Sequence, residues 1–402
     1  MTQGRDLFAR FDARTAERLH NVGDARAVAR RRLPPVVFDY IDGAADDEIT
    51  MRRNVGAFAD IEFRTKMASG ETDPVLGTQV LGTPIDLPVI LAPCGLVRLM
   101  HADGAAGAAR AAAARGTLSV LSTVAGNSVE EVVADAGVTP WFQLYAAGGR
   151  PEAEQLCGRA AAAGVEVLVI TVDTPTLGNR ERDVRHGVAP PLRIDPRNAA
   201  PLGAQVLLRP RWALQLAATG IRLAGRGTGL RGHGSGLLQS VASPFSWDDI
   251  AHLRRRWAGR VVVKGVLSAD DGRRAVDAGA DAVVVSNHGG RQLDGAPATL
   301  RVLPEMVDAV GDDIEVYLDG GVRRGSHVVA ALALGARAVL IGRPYLYALA
   351  AAGEPGVMRI LDVLRAEMRR TMTLLGCPSV AELGPSWVRS DDQLGVVETA
   401  GA

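Results

Sequence analysis

Residues 261–287, VVVKGVLSADDGRRAVDAGADAVVVSN, contain the repeating unit of the chain: an apolar run, a polar helical stretch and a second apolar run. The runs VVVKG (261–265) and DAVVVSN (281–287) are nearly continuous valine, the pattern of strands buried on both faces of a parallel sheet. Between them, SADDGRRAVDAGA opens on Ser268 with acids in its first turn and closes at Gly279, as helix caps do. The unit recurs further on, where RRGSHVVAALALGA leads into Gly335-Ala-Arg-Ala-Val, an echo of Gly279-Ala-Asp-Ala-Val. Runs of the same character occur at IDLPVILAP (85–93), TLSVLST (117–123), WFQLY (141–145), VEVLVITVD (165–173), IEVYLDG (314–320) and RAVLIG (337–342), eight in all.

Eight strand–helix units predict an α/β chain folded as a closed (β/α)8 TIM barrel, with an open doubly wound sheet as the alternative. Residues 1–84 read as a helical N-terminal segment packing on the barrel, with helices over Asn21–Tyr40 and Asp46–Phe63. The barrel is expected over 85–385 and a C-terminal tail over 386–402. A long insertion, about 187–246, follows the fourth strand and is rich in Pro, Gly and Arg. Its RPRWALQLAATGIRLAGR sets Trp212, Leu214, Leu216, Ile221 and Leu223 among Arg209, Arg211, Arg222 and Arg226. Such a basic amphipathic stretch either touches a membrane surface or docks on the barrel or on a neighbouring subunit. Gly227-Thr-Gly229-Leu-Arg-Gly232 matches a dinucleotide fingerprint but follows no strand, so it reads as a loop.

The 402 residues balance 45 basic against 45 acidic side chains, leaving no net charge to draw nucleic acid. Three scattered cysteines, without CxxC or HExxH, fit a thiol-compatible cytoplasm and predict no metal site. The charged N-terminus lacks the apolar core of a signal peptide, and no apolar run spans a bilayer. All basic residues but Lys66 and Lys264 are arginine, which singles out Lys264, an ammonium at the end of an apolar run.

In such a barrel the active site forms at the C-terminal strand ends. Those ends carry Cys94-Gly95, Ser122-Thr123, Gln143 and Tyr145, Thr171 and Asp173, Lys264, Ser286-Asn287-His288, Asp319, and Gly342-Arg343. Polar groups converging from every strand favour an enzyme over a structural barrel. Gly320-Gly321 with Arg323 and Arg343 form an anion cradle suited to phosphate. Lys264 and Gln143 are placed to meet the polar edge of a phosphorylated ligand. His288 is the candidate base, against the plainer reading of a neutral core histidine. Asp173 would support its imidazolium, Arg180 and Arg291 would clamp a carboxylate, and Tyr145 would bond a hydroxyl. The inferred substrate is a small carboxylate with an oxidisable carbon.

The segments VVFDYIDGAADDE, PVILAPCGL, LSTVAGNSVEEV, WFQLY, TVDTPTLGNRERD, VVVKGV, SNHGGRQLDG, LDGGVRRG and ALGARAVLIGRP resemble the FMN-dependent L-2-hydroxy-acid oxidases and dehydrogenases from about residue 28 to 385. The resemblance implies FMN held by Pro93, Cys94, Gly95, Ser122, Gln143, Thr171, Lys264, Ser286, Asp319, Gly320, Gly321, Arg323, Gly342 and Arg343. It implies a His288 base paired with Asp173, and a substrate bound by Tyr40, Tyr145, Arg180 and Arg291. Gly95 and Val124 stand where short-chain oxidases carry larger residues and would open the pocket, as in the lactate and mandelate dehydrogenase branch. That branch implies a quinone acceptor, with oxygen as the oxidase alternative and a flavin barrel isomerase as a more distant one. It further implies a homotetramer, cytoplasmic or peripheral on the inner face of the membrane through the insertion.

Overall fold

A computed structural model describes residues 2–145, 148–187, 196–218 and 245–390. Its centre is one parallel eight-stranded sheet. In chain order the strands are β1 (Val89–Leu91), β2 (Val120–Ser122), β3 (Trp141–Leu144), β4 (Val167–Thr171), β5 (Arg260–Val266), β6 (Ala282–Val285), β7 (Glu315–Asp319) and β8 (Ala338–Ile341). Each pairs with its sequence neighbours, and β8 returns to β1 with Val339 opposite Val89. The ring closes between β1 and β2, where the Leu91 amide donates to the Leu118 carbonyl at 3.0 Å. The expected closed barrel is therefore the observed one.

Both faces of the ring are buried, which accounts for the unbroken apolar runs. Inside lie Ile90, Trp141, Val169, Val284, Tyr317 and Leu340; outside, Leu168, Val263, Val283 and Ile341 pack on the helices. The cap signals hold in detail: Ser268 Oγ accepts from the Asp271 amide and starts the helix Ala269–Asp277.

The first strand begins later than its apolar run. Ile85 belongs to a hairpin of Thr78–Val80 and Thr83–Ile85, whose two-residue turn holds Leu81 and Gly82 at φ 50° and 82°. Val80 and Ile85 point into the barrel's N-terminal mouth and plug it.

The lead-in also departs from expectation. The helix expected over 21–40 is two, Val22–Arg32 and Pro35–Asp42, because Leu33 precedes Pro34 and is driven to extended backbone at ψ 149°. The helix expected over 46–63 ends at Gly56, passes through a 3₁₀ turn at Ala57–Asp60, and becomes a strand, Ile61–Phe63. That strand pairs antiparallel with Val388–Ser390, inside the stretch expected as a tail.

The described part of the insertion forms helices Pro196–Leu207 and Pro210–Ala218. It docks on its own chain: Trp212 is buried and donates from Nε1 to the Leu99 carbonyl at 2.7 Å, and Arg211 reaches Asp12 at 2.7 Å. Leu216 is buried, while Leu207, Leu208 and Leu214 face outward. Ile221, Leu223, Arg222, Arg226 and Gly227–Gly232 lie outside the described residues. Among the described residues no helix is long and apolar enough to cross a membrane.

Ile90 is fully buried in the barrel interior. Replacing it with Ala should cost about 2–5 kcal/mol of stability, since the closed ring cannot collapse around the hole. Denaturant unfolding of the purified protein checks this.

Candidate active site

The strand ends gather at one mouth, closed over by the lead-in helix Pro35–Asp42 and the loop after β4. The pocket there is lined by Tyr40, Pro93, Cys94, Gly95, Val124, Tyr145, Arg180, Lys264, His288, Arg291, Asp319, Gly320, Gly321, Arg323, Gly342 and Arg343. Ser122, Gln143, Thr171, Ser286 and Asp173 sit just behind this lining. All the residues singled out from sequence thus come together.

On the β5–β7 side, Lys264 is 3% exposed and its Nζ lies 2.9 Å from Asp319 Oδ2 and 2.8 Å from Ser286 Oγ. Ser286 Oγ donates in turn to Asp319 Oδ2 at 3.0 Å. Burial pulls the Lys264 pKa down, but the anions Asp319 and Asp173 outweigh it, and the ammonium stays charged. On the β2–β4 side, Ser122 Oγ donates to Gln143 Oε1 at 2.8 Å, while Gln143 Nε2 and Thr171 Oγ1 are buried with no protein partner. Buried polar atoms left open this way suit a bound polar group.

His288 stands across the mouth. Its Nδ1 donates to Asp173 Oδ1 at 2.9 Å, so Nε2 carries the lone pair. The imidazole keeps 18% exposure and Asp173 10%, which leaves the pair open to the pocket. Burial lowers the His288 pKa from its ordinary 6.5, and Asp173 offsets only part of that. The residue sits at φ 57°, a left-handed strain held by the Ser286 hydroxyl accepting its amide at 3.1 Å. Gln292 bolts its loop to the β4 loop by donating to the carbonyls of Asp173 and Thr176 at 2.8 and 2.7 Å.

Lys264, Arg180, Arg291, Arg323 and Arg343 line the pocket, and Asp319 is the one carboxylate among the described lining residues. The excess positive charge suits an anionic ligand. Burial and the nearby Arg291 lower Arg180 to about 10, still protonated at neutral pH, and its Nε has no protein partner. Arg291 donates to the Tyr40 and Gly43 carbonyls at 2.7 and 2.9 Å and lies 5.1 Å over the Tyr40 ring. Arg343 spends its nitrogens on the carbonyls of Ile41, Gly289 and Gly43, so Arg323 with the Gly320–Gly321 turn is the more open part of the expected phosphate cradle. Burial raises the Tyr145 phenol, which stays a proton donor. A Cβ on Gly95 would come within 2.8 Å of the Tyr40 hydroxyl and 3.1 Å of Val124, so glycine leaves room there.

Several site-building residues escape a sequence reading. Arg182 ties the β4 loop to Asp42 at 2.9 Å and to Glu48 at 2.6 Å, and Leu177 packs on Val124 and Tyr145. Asn54, in the lead-in, bonds the residue next to His288. Only the adjacency of Arg182 to the Arg180 segment gave any signal in sequence.

The chain as a whole is similar to known proteins. A family model described as FMN-dependent dehydrogenase matches residues 29–390. The L-lactate dehydrogenase of Caulobacter vibrioides is 46% identical over 370 residues, 90% of this chain and 95% of that protein. That of Pectobacterium atrosepticum is 42% identical over 368 residues, covering 90% and 94%. Among solved structures, the monotopic membrane protein (S)-mandelate dehydrogenase superposes with a TM-score of 0.85 at 36% identity, covering 93% of this chain and all of that one. A mandelate oxidase superposes with a TM-score of 0.75 at 36% identity, covering 90% and 97%. With the barrel, the pocket and the match spanning nearly its whole length, the chain belongs to the FMN-dependent dehydrogenase family.

Proposed function

We propose that the protein catalyses FMN-dependent oxidation of an L-2-hydroxy acid, lactate- or mandelate-like, to the 2-oxo acid. The observation that carries this reading is the 2.9 Å His288–Asp173 pair facing the same pocket as Arg180, Arg291, Tyr40 and Tyr145. A base, a carboxylate clamp and a hydroxyl donor are what a 2-hydroxy acid requires.

The residues present fit FMN. The open Gln143 Nε2 and Thr171 Oγ1, with Ser122, Ser286 and Lys264, match a ring with a polar edge. Pro93, Cys94, Gly95 and Asp319 would complete that side, and Gly320, Gly321, Arg323, Gly342 and Arg343 would hold the phosphate. When bound, FMN would supply the two-electron acceptor, and the Lys264 ammonium would be available to stabilise the negative charge that the acceptor takes up.

Arg180, Arg291 and Tyr40 bind the substrate carboxylate, and Tyr145 orients the hydroxyl. His288 Nε2 takes the proton released on oxidation, and Asp173 stabilises the imidazolium that forms. The neutral base is ready at pH 7 because burial has already lowered its pKa. Relatives named L-lactate dehydrogenase and solved mandelate dehydrogenases support the two substrate types, and the room at Gly95 and Val124 supports the larger.

The final acceptor is proposed to be quinone. Outward Leu207, Leu208 and Leu214, and a membrane-associated structural neighbour, support peripheral contact with the inner face of a membrane from the cytoplasm through the insertion. A homotetramer is proposed on family resemblance. An oxidase is the second reading, favoured by the similarity to mandelate oxidase.

Mixing the purified holoenzyme with L-lactate or (S)-mandelate without oxygen should bleach the flavin. Bleaching by neither acid overturns the reading, and peroxide formed in step with turnover selects the oxidase. His288→Ala should retain flavin and lose at least about 100-fold in kcat. Since the folded His288 pKa lies below 6.5, kcat/KM should hold from neutral pH down to that value and fall only at more acid pH, as the imidazole protonates. Gly95→Ala, whose Cβ would crowd Tyr40 and Val124, should lower kcat/KM for (S)-mandelate more than for L-lactate in parallel steady-state assays.

A further inference from the structure

The lead-in helix Ile49–Gly56 lies outside the barrel in sequence but packs against the loops of the site in space. Its backbone presses on glycines of two site loops. A Cβ on Gly290, in the His288 loop, would come within 2.6 Å of the Met51 amide nitrogen. A Cβ on Gly321, in the anion-cradle turn, would come within 1.9 Å of the Asn54 carbonyl oxygen. The helix N-terminus is held by Asp294 of the His288 loop, which accepts from the amides of Thr50 at 2.7 Å and Ile49 at 3.1 Å.

The buried side chains of this helix are Thr50 and Asn54. Asn54 Nδ2 donates to Asn287 Oδ1 at 2.7 Å, and Asn287 Nδ2 donates back to Asn54 Oδ1 at 2.9 Å. Neither amide can turn over. Asn287 Oδ1 also accepts from the Gly290 amide at 3.1 Å, and its Nδ2 also donates to the Pro297 carbonyl at 2.9 Å. Asn54 Oδ1 also accepts from the Thr299 amide at 3.2 Å. A Cβ on Gly320 would fall 2.9 Å from Thr299 Oγ1 and 3.3 Å from Asn54 Nδ2. Asn54 thus bonds through its amide to the residue preceding His288 and lies beside the turn preceding Arg323.

We propose that Asn54 is a positioning residue for the reaction, which through its amide pair with Asn287 sets the place of the His288 ring and ties that ring to the Gly320–Gly321 turn. The inference rests on the reading of His288 as base and of the turn as the phosphate cradle. His288 occupies a strained left-handed conformation, and such a residue keeps its place only where its surroundings over-determine it. The amide pair supplies that constraint, whereas an apolar contact at Asn54 would leave Asn287 Oδ1 and the Thr299 amide short of partners.

Asn54→Asp keeps the size and the acceptor but removes the donor facing Asn287 Oδ1. Asn54→Ser serves the same purpose should the carboxylate prevent folding, and Asp294→Asn loosens the same helix without touching the pair. Holoenzymes are compared by anaerobic flavin reduction, by imidazole nitrogen NMR of His288, and by FMN release. In the Asn54 variants flavin reduction should slow by roughly 10- to 100-fold while substrate Kd moves less than about threefold, as expected of a misplaced base. The His288 imidazole titration should shift and FMN should dissociate faster, and Asp294→Asn should show neither effect to the same degree. Reduction at the wild-type rate with an unshifted imidazole overturns the inference, as does an Asp294→Asn variant that matches Asn54→Asp in every readout. Failure of the unaltered enzyme to be reduced overturns the functional reading instead, and the imidazole titration and FMN release still decide the role of Asn54.

Discussion

Strands that are apolar on both faces bury both only if the sheet closes, and the rest of this molecule depends on that closure. Ile90, Val169, Val284 and Leu340 fill the inside of the ring while their neighbours in sequence pack on the helices outside. Once Leu91 reaches Leu118, no strand edge is left between β1 and β2. Closure also brings every C-terminal strand end to one rim. Ser122, Gln143, Thr171, Lys264, Ser286 and Asp319 are far apart in sequence, yet they meet at this rim, Ser122 bonded to Gln143 and Lys264 to Ser286 and Asp319, with Thr171 opposite Lys264 in the sheet. The hairpin carrying Val80 and Ile85 seals the opposite end, so the molecule has one chemically active mouth and one structural one.

The lead-in supplies the wall that the barrel lacks. The helix Pro35–Asp42 ends over the pocket, where its last carbonyls have no intrahelical partners and carry the negative end of the dipole. Arg291 and Arg343 take the carbonyls of Tyr40, Ile41 and Gly43. Below them, Asp42 is bound by Arg26, Arg182 and Tyr347, so the same helix is tied to the lead-in helix Val22–Arg32, the β4 loop and the helix Arg343–Leu375 that follows β8. The arginines therefore act twice, as supports of the wall and as the positive field inside it.

Burial and charge oppose each other residue by residue in that field. Burial lowers His288 and Arg180, but the imidazole becomes neutral at physiological pH while the guanidinium remains charged. Lys264 escapes the same loss because Asp319 lies 2.9 Å away. The outcome is a neutral imidazole beside fixed cations, a combination suited to holding an anionic acid and accepting a proton from it.

Much of this was legible in the chain before folding. Continuous Val, Ile and Leu runs repeated at regular spacing specify parallel strands, and the polar residue at each run's end marks the rim, because strand direction alone puts those ends together. His288, Asp173, Lys264 and the Gly320–Gly321 turn are legible for that reason. Asn54, Arg182 and Leu177 were not, since their roles come from which segments lie on the mouth, and strand periodicity carries no information about that. The strand Ile61–Phe63 was likewise settled by a partner distant in sequence, Val388–Ser390, whereas the break at Leu33–Pro34 and the hairpin that takes Ile85 are local features that the periodicity of apolar runs does not register. The sequence by itself determined the barrel and the chemistry at its strand ends, through local periodicity. Tertiary structure alone decided how the lead-in closes the mouth and reaches the His288 loop, because those contacts join residues some 230 to 250 positions apart, such as Asn54 with Asn287 and Tyr40 with Arg291.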